Sequence, residues 1–457
     1  MRKASSNPPF TSTALALTQQ VEASLQVALK QQQGNPAKIL LALSGGLDSC
    51  VLLHILLSLQ KTLPFHLFAL HVHHGLSRNA DNWAKFCQQL CEQHQISCQI
   101  AYVKVDRESA AGIEGEARKL RYQALLAQYA DLILLAHHQD DQAETLLLQL
   151  MRGSGVKGLA GMAQFDQDRR LLRPLLQASR QQLQDYAAGY ALQWVEDESN
   201  TSLDYERNFV RHQIMPLLRQ RNPAVSENIA RSAALLAEAQ VLLEDLAVLD
   251  AHENVVEDKL NVNALSQLSP ARAANLLRWW LSQQGILMPS QVQLQEMLQQ
   301  LLCAKSDKQL QILLHHSQHD DAYLLRRFQG FAYISLHGVN SGMHLSWHGE
   351  EQISLEDGSR LLFSKTLGQG LSLKHIENKS LSIQFRAGGE RFKPYANRPS
   401  KPLKKWLQEI NMPPWFRERL PMVFVDQQLV LVPSLGVQAE WQAQADEMGL
   451  TVEWQSQ

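Results

Sequence analysis

Cysteine is scarce in this sequence: five in 457 residues (Cys50, Cys87, Cys91, Cys98, Cys303), an odd count with no C-x-x-C pair. That excludes a disulfide framework and gives no zinc-knuckle or cluster-binding pattern. Long apolar runs are missing as well. No segment approaches the roughly 18 residues of a membrane helix, and the amino terminus has two basic residues without the apolar stretch of a signal peptide. A cytoplasmic chain with no membrane partner is expected. Nor does charge of one sign prevail: 43 Lys and Arg face 45 Asp and Glu, for a net charge of −2, so a nucleic-acid surface, if present, is local. Finally, neither G-x-x-x-x-G-K-[ST] nor G-x-G-x-x-G occurs, which disfavours Walker-type hydrolases and dinucleotide folds.

The length exceeds the roughly 250–300 residues at which single cores stop growing, so two or three domains are expected. Short apolar segments (Ile39–Leu43, Leu67–His71, Cys98–Val105, Leu132–Ala136) alternate with amphipathic stretches, the pattern of an α/β fold with a doubly wound parallel sheet. This domain is assigned to 1–222. Residues 223–330 have mostly helical period, with Leu235, Leu236, Leu242 and Leu243 at helical spacing. Residues 331–457 show short strands separated by Gly, Asn and Pro, a small α+β unit.

Chemistry concentrates after the strand-like segments. Ser44-Gly45-Gly46-Leu47-Asp48-Ser49 joins the first strand to a helix. Two glycines let backbone N–H groups turn inward, the helix N-terminus adds positive dipole character, and Ser44 and Ser49 add hydroxyls, a composition suited to pyrophosphate. A tight turn that merely caps the helix would have the same composition. The second strand ends in His71-Val72-His73-His74-Gly75-Leu76-Ser77; with no acidic or thiol partner at ligand spacing, contact with phosphate, base or backbone is favoured over a metal. In Glu114-Gly115-Glu116-Ala117-Arg118-Lys119-Leu120-Arg121-Tyr122, Arg118 and Arg121 share a helical face and could clamp phosphate or simply pair with the glutamates. His137-His138-Gln139-Asp140-Asp141-Gln142-Ala143-Glu144 places Asp141 and Glu144 at i and i+3 of an opening helical turn, where the carboxylates serve as caps or meet an ammonium or Mg²⁺. A glycine-dense stretch, Arg152 to Gly161, reads as a mobile loop or a plain linker.

The Ser44–Ser49 loop resembles the S-G-G-x-D-S signature of ATP pyrophosphatases. With the H-x-x-H-G-L stretch, E-G-x-A-R-x-x-R-Y, Arg173-Pro174-Leu175-Leu176, Glu196-Asp197-Glu198-Ser199-Asn200 and Arg207-Asn208-Phe209-Val210-Arg211 in order, the series resembles the bacterial tRNA(Ile)-lysidine synthetases. One departure is Ser77, where many relatives carry arginine. The resemblance implies ATP on Ser44, Gly45, Gly46, Leu47, Asp48 and Ser49 with His71 and His74; L-lysine held by Arg118, Asp141 and Glu144; Asp48 acting on the activated cytidine or on Mg²⁺ carried with ATP; and catalysis by Asp48, Arg118, Asp141 and Glu144. It further implies ligation of lysine to the wobble cytidine of an isoleucine tRNA with a CAU anticodon. Arg207 and Arg211 are expected at the tRNA.

Between Arg386 and Arg419 nine basic residues (Arg386, Arg391, Lys393, Arg398, Lys401, Lys404, Lys405, Arg417, Arg419) face three acidic ones, interleaved with Phe392, Tyr395, Trp406, Trp415 and Phe416. Arg391, Lys393, Lys404, Lys405 and Trp406 are therefore expected to bind tRNA, the alternative being a core for the tryptophans and a solvated face for the charges. A tRNA thiolase, a small-molecule ligase with the same loop and a non-catalytic RNA-binding protein are the rival readings; a homodimer remains open.

Overall fold

The computed structural model describes residues 9–30, 36–109, 112–198, 202–304, 310–317, 320–338, 343–355, 358–377, 379–397 and 399–455; Ser199, Asn200 and Arg398 lie outside them. The chain gathers into two compact units, Met1–Leu243 and Glu244–Gln457.

The first unit opens with α1 (Pro9–Leu29) and continues β1 (Ala37–Ala42), α2 (Leu47–Leu59), β2 (Phe65–His73), α3 (Ala80–Gln93), β3 (Ser97–Tyr102), α4 (Gly112–Leu126), β4 (Leu132–Leu134), α5 (Gln139–Met151), α6 (Val156–Leu159), β5 (Phe165–Asp166), β6 (Leu171–Leu172) and α7 (Arg180–Gly189). Its sheet has the order β3-β2-β1-β4-β6-β5, parallel except for β5 at the edge. Strand β1 is apolar on successive residues because both faces are covered. Ile39 and Leu41 enter a core with Leu17, Val21 and Leu25 of α1 and Val51 and Ile55 of α2, while Leu40 joins Leu70, Ile133 and Leu125 of α4 on the other face. Helix α1, absent from the sequence reading, earns its place through Leu17, Val21 and Leu25, one turn apart and buried.

Strand order reverses between β1 and β4, which neighbour each other while their helices lead to opposite sides. A crevice therefore opens at the carboxyl ends of these two strands, where ligands bind in open α/β sheets. The Ser44–Ser49 loop follows β1 and the His137–Glu144 segment follows β4.

A broken helix then closes the unit: α8 (Glu206–Phe209), a wide π turn (Val210–Ile214) and α9 (Met215–Arg221). Pro216 has no N–H to give the carbonyl of His212, which accounts for the widened turn before it. Helix α10 (Val225–Asn254) runs for 30 residues.

In the second unit the expected helices are present, α11 (Val262–Leu265), α12 (Pro270–Gln283) and α13 (Gln291–Cys303), together with a five-stranded antiparallel sheet that periodicity did not reveal. It comprises β7 (Val255–Val256), β8 (Lys259–Asn261), β9 (Gln311–His315), β10 (Ala322–Phe328) and β11 (Phe331–Leu336), ordered β7-β8-β11-β10-β9. The division drawn at 330/331 falls inside a hairpin. Gln329 and Gly330 have φ of 48° and 81°, the left-handed pair of a two-residue turn, and β10 and β11 pair on either side of it. The remaining chain forms two antiparallel sheets, with short helices at Leu403–Glu409 and Pro414–Glu418.

Trp280 on α12 is 1% exposed among Leu260, Leu276, Leu281 and Leu325, and its indole N–H donates to Asp258 O at 2.9 Å. Replacing it with alanine removes both packing and that bond. A loss of about 3–5 kcal/mol is expected for Trp280→Ala, measured as a shift in the urea midpoint of the second unit with the first unit's transition unmoved.

Candidate active site

The phosphate loop is braced by its own hydroxyls. Ser44 Oγ lies 3.1 Å from Ser49 Oγ and accepts from Gly46 N at 3.3 Å, while Ser49 Oγ donates to Gly46 O at 2.9 Å. Gly45 has φ +85°, and a Cβ there would come within 3.0 Å of Cys87 Sγ and of Val195 Cγ2; its carbonyl accepts from Val195 N at 3.0 Å. Glycine is thus required by both conformation and space. Gly46, in extended conformation, precedes α2 without a side-chain cap, so the first N–H groups of α2 face the crevice mouth unclaimed by a side chain.

Asp48, on the first turn of α2, has its Oδ1 buried without a hydrogen-bond partner. Burial raises its pKa, against the pull of His138. From the β4 side, His138 is 1% exposed and caps α5: Asp140 N donates to its Nδ1 at 3.2 Å. Since Nδ1 accepts, the ring proton resides on Nε2, which lies 3.7 Å from Asp48 Oδ2 and 3.5 Å from Asp141 Oδ2. One imidazole N–H therefore points between carboxylates from the two sides of the switch point.

Asp141 and Glu144 converge, as expected from i, i+3 spacing, but they do not stand alone. Arg207 donates to Asp141 Oδ1 at 3.0 Å and to Glu144 Oε2 at 2.8 Å; Arg211 donates to Asp141 Oδ1 at 3.2 Å and to Glu144 Oε1 and Oε2 at 2.7 and 2.9 Å. Asp141 Oδ2 also accepts from His138 N at 3.0 Å. Burial opposes ionisation of Asp141, yet His138, Arg207 and His137 hold its carboxyl well below the usual range. Arg207 and Arg211, expected at the tRNA, are four residues apart on one helical face and point their guanidiniums at the acidic pair. Behind them, Asp140 accepts from Arg219 at 2.5 Å and Arg180 N at 3.3 Å.

Arg118 is exposed, its guanidinium 5.3 Å from the Tyr122 ring centroid; Arg121 and Arg169 lie 5.9 Å from the same ring. Arg173, 3% exposed, donates to Ala163 O at 2.7 Å and to His137 Nδ1 at 3.3 Å. Burial lowers the pKa of His137 far below normal, so it is neutral. Of the histidines after β2, His71 is buried and its Nδ1 meets Leu43 O at 2.9 Å, fixing the backbone just before the loop. His74 has Nδ1 buried without a partner, and burial, followed by the charge of Arg121, lowers its pKa to about 4. Ser77 Oγ accepts from Asn79 N at 3.0 Å.

The glycine-dense stretch is not a free loop. It contains α6, and Gln142 fastens its end, accepting from Met162 N at 2.8 Å and donating to Met162 O at 3.1 Å. His137, His138 and Arg173 stood in quoted motifs without a role of their own in the sequence reading. Their signal, polar side chains abutting the acidic and Arg-Tyr motifs, was visible, but which of them turn inward was not.

In the second unit, Arg391, Lys404 and Lys405 are exposed and Lys393 half-buried. Trp406, expected to stack on RNA, is instead core: 4% exposed, with its indole N–H donating to Phe392 O at 2.9 Å. Lys401 Nζ sits 3.6 Å above its ring. Phe392 and Trp415 are buried too, leaving Tyr395 as the exposed ring among them.

Among the described residues no group of three or more His, Cys, Asp or Glu side chains could hold a metal, and no helix is long and apolar enough to cross a membrane. Residues 17–218 match the family model described as a PP-loop domain, the class of nucleotide-binding α/β domain that this sheet and its loop define. Residues 260–333 match the TilS substrate binding domain and 381–454 the TilS substrate C-terminal domain. The chain is 38% identical to the tRNA(Ile)-lysidine synthase of Nitrosomonas europaea over 425 residues, 91% of this chain and 92% of that one, and 39% identical to that of Serratia proteamaculans over 94% and 98%. It belongs to the tRNA(Ile)-lysidine synthase family, ligases that form a carbon–nitrogen bond. Among solved structures it is similar to a U34-tRNA thiolase from Methanococcus maripaludis (TM-score 0.43, 19% identity, 50% of this chain and 80% of that chain).

Two outcomes follow from this geometry. Gly45→Ala is expected to abolish ATP binding by calorimetry while leaving the second unit's unfolding unchanged. For His74, the folded pKa of about 4 lies below the ordinary 6.5, so between those values the unfolded chain binds the extra proton and stability falls with pH. About 1–2 kcal/mol of the first unit's stability should be lost between pH 6.5 and 5 through this residue, and His74→Gln should flatten the pH dependence of thermal unfolding by that amount.

Proposed function

We propose that this chain ligates L-lysine to C2 of the wobble cytidine of the CAU anticodon of isoleucine tRNA, at the expense of ATP, with release of AMP and pyrophosphate. The observation that carries the reading is Asp48: a half-buried carboxylate whose buried Oδ1 is unclaimed, on the phosphate loop of a chain in this family, facing the His138 N–H.

The chemistry has two displacements. Cytosine O2 attacks the α-phosphorus and pyrophosphate leaves, which turns that oxygen into a leaving group; the neutral ε-amine of lysine then attacks C2 and AMP departs. Loop N–H groups of Gly45 to Ser49, the Ser44 and Ser49 hydroxyls and the α2 N-terminus receive the phosphates. Mg²⁺, entering with the nucleotide, neutralises phosphate charge, and Asp48 Oδ1 is the protein oxygen suited to meet it. The partnerless Nδ1 of the neutral His74 is suited to a polar edge of the nucleoside, while His71 acts through the backbone of Leu43. Arg118, Asp141 and Glu144 hold lysine. Because Arg207 and Arg211 already meet both carboxylates, the amine joins a shared network rather than an open anionic pair. Held there against the activated base, it reacts as an intramolecular nucleophile.

Docking of tRNA rests on Arg391, Lys393, Lys404 and Lys405, with Tyr395 as the stacking ring in place of Trp406. A thiolase is disfavoured by the cysteines beside the phosphate loop: burial pushes Cys50 up to about 12 and raises Cys87 as well, the reverse of a reactive thiolate.

The test is retention of radiolabelled lysine on an unmodified CAU-anticodon isoleucine tRNA with ATP and Mg²⁺. Label should require the wobble cytidine, and Asp48→Asn should lower kcat at least about 100-fold. Lys404→Ala with Lys405→Ala should raise KM for tRNA and reduce the salt dependence of binding by a slope of about 1–2. No incorporation by folded, ATP-binding protein would sink the reading.

A further inference from the structure

Four cysteines of the first unit lie in a row that runs from solvent to the phosphate loop. At the inner end, Cys50 of α2 and Cys87 of α3 close on Gly45. Cys50 Sγ donates to Gly45 O at 3.3 Å, and Cys87 Sγ sits so near that a Cβ on Gly45 would come within 3.0 Å of it. Cys87 Sγ also lies 3.4 Å from His71 Nδ1 and 3.8 Å from Leu43 O. Cys91 follows one turn later on the same buried face of α3, and neither it nor Cys87 is accessible. The helix then ends in a turn that doubles the chain back. Gln95 has φ 57°, Ile96 N donates to Cys91 O at 2.9 Å and Gln95 N to Glu92 O at 3.0 Å, the two bonds of a Schellman ending with glutamine where glycine is usual. Two residues on, β3 brings the partly exposed Cys98 to Cys91, and the two thiols hydrogen-bond.

We propose that Cys91 and Cys98 form a reversible oxidation site, a dithiol that peroxide converts to a disulfide, and that this bond loosens the phosphate loop through Cys87. Access and charge set the order of events. Cys98 is the sulfur that peroxide reaches, and its hydrogen bond with Cys91 holds its pKa below the ordinary thiol value, while the same bond and burial raise that of Cys91. The Cys98 thiolate attacks one peroxide oxygen and hydroxide leaves, so that the sulfur becomes a sulfenic acid. Cys91 then gives up its proton, attacks that sulfur and expels a second hydroxide. With the two thiol protons the hydroxides become water; two electrons have passed from the sulfurs to the peroxide. Cys87 stays out of this exchange, since it faces Leu43, Gly45 and His71 and burial raises its pKa. Sulfurs in contact must close further to bond, so oxidation draws the last turn of α3 toward β3. Cys87 is carried on the same helix and fills the space under Gly45. A shift of α3 thus moves the floor of the loop, whose hold on phosphate depends on N–H groups kept in position. The effect is on ATP binding and holds whatever group the chain transfers.

The test uses the full chain with Cys303→Ser, which removes the exposed thiol of the second unit. It is treated with hydrogen peroxide, denatured and alkylated. Trypsin releases residues 86–104, which carry Cys87, Cys91 and Cys98. After oxidation Cys87 alone of the three should be alkylated, and cleavage after Glu92 should leave two fragments joined by a bond that dithiothreitol breaks. By calorimetry, oxidation should weaken ATP binding about tenfold, and dithiothreitol should restore it. Cys98→Ser leaves the contacts of Cys50 and Cys87 with Gly45 in place; it should bind ATP as the reduced chain does and keep that affinity in peroxide. Circular dichroism checks that each protein is folded. Alkylation of all three cysteines after peroxide, sulfinic or sulfonic acid at Cys98 with Cys91 still alkylated, an ATP affinity indifferent to the disulfide, or a loss of affinity that persists in peroxide-treated Cys98→Ser would each overturn the proposal.

Discussion

The first unit depends on one network of charges, Asp141 and Glu144 with Arg207 and Arg211. It joins the helix that follows β4 to the broken helix that closes the unit, 63 residues further along the chain. Both carboxylates are nearly inaccessible, and a buried pair of this kind is strongly destabilised when one partner is removed, by about 3–5 kcal/mol. The network thus holds the crevice wall in place and sets the field inside it. Its geometry follows from spacing: Arg207 and Arg211 are four residues apart, so one helical face delivers two guanidiniums to the same acidic pair.

Against that neutralised wall, Asp48 stands out by what it lacks. Asp141 keeps its charge because arginines and His138 surround it; Asp48 is half-buried without a guanidinium hydrogen-bonded to it and with its buried Oδ1 unclaimed. The His138 N–H lies between them, tying the loop after β1 to the segment after β4. Two carboxylates with opposite shifts stand a few ångströms from one imidazole, one balanced by arginines and the other with an oxygen unclaimed.

Much of this was legible beforehand. The alternating strands and helices, the loop, the Arg118–Arg121 face and the convergence of Asp141 with Glu144 all follow from short-range rules of spacing and period. What failed to read correctly shares a cause. Arg207 and Arg211 read as tRNA contacts, Trp406 as a stacking ring and 330/331 as a division, because sequence shows residue type and local period but not which face is covered. Trp406 is inside because Phe392, Leu403 and Leu407 surround it, and the 330/331 division cuts a hairpin because β10 and β11 pair directly across the Gln329–Gly330 turn.

The sequence by itself determined the class of fold, the phosphate loop and the family, since each is written in contiguous motifs whose chemistry depends on neighbours one to four residues apart. Tertiary structure alone decided the partners of the charges: that two arginines near residue 210 neutralise two acids near 140, and that His138 faces Asp48. Burial and pairing are properties of the folded whole, because desolvation depends on every element that packs nearby.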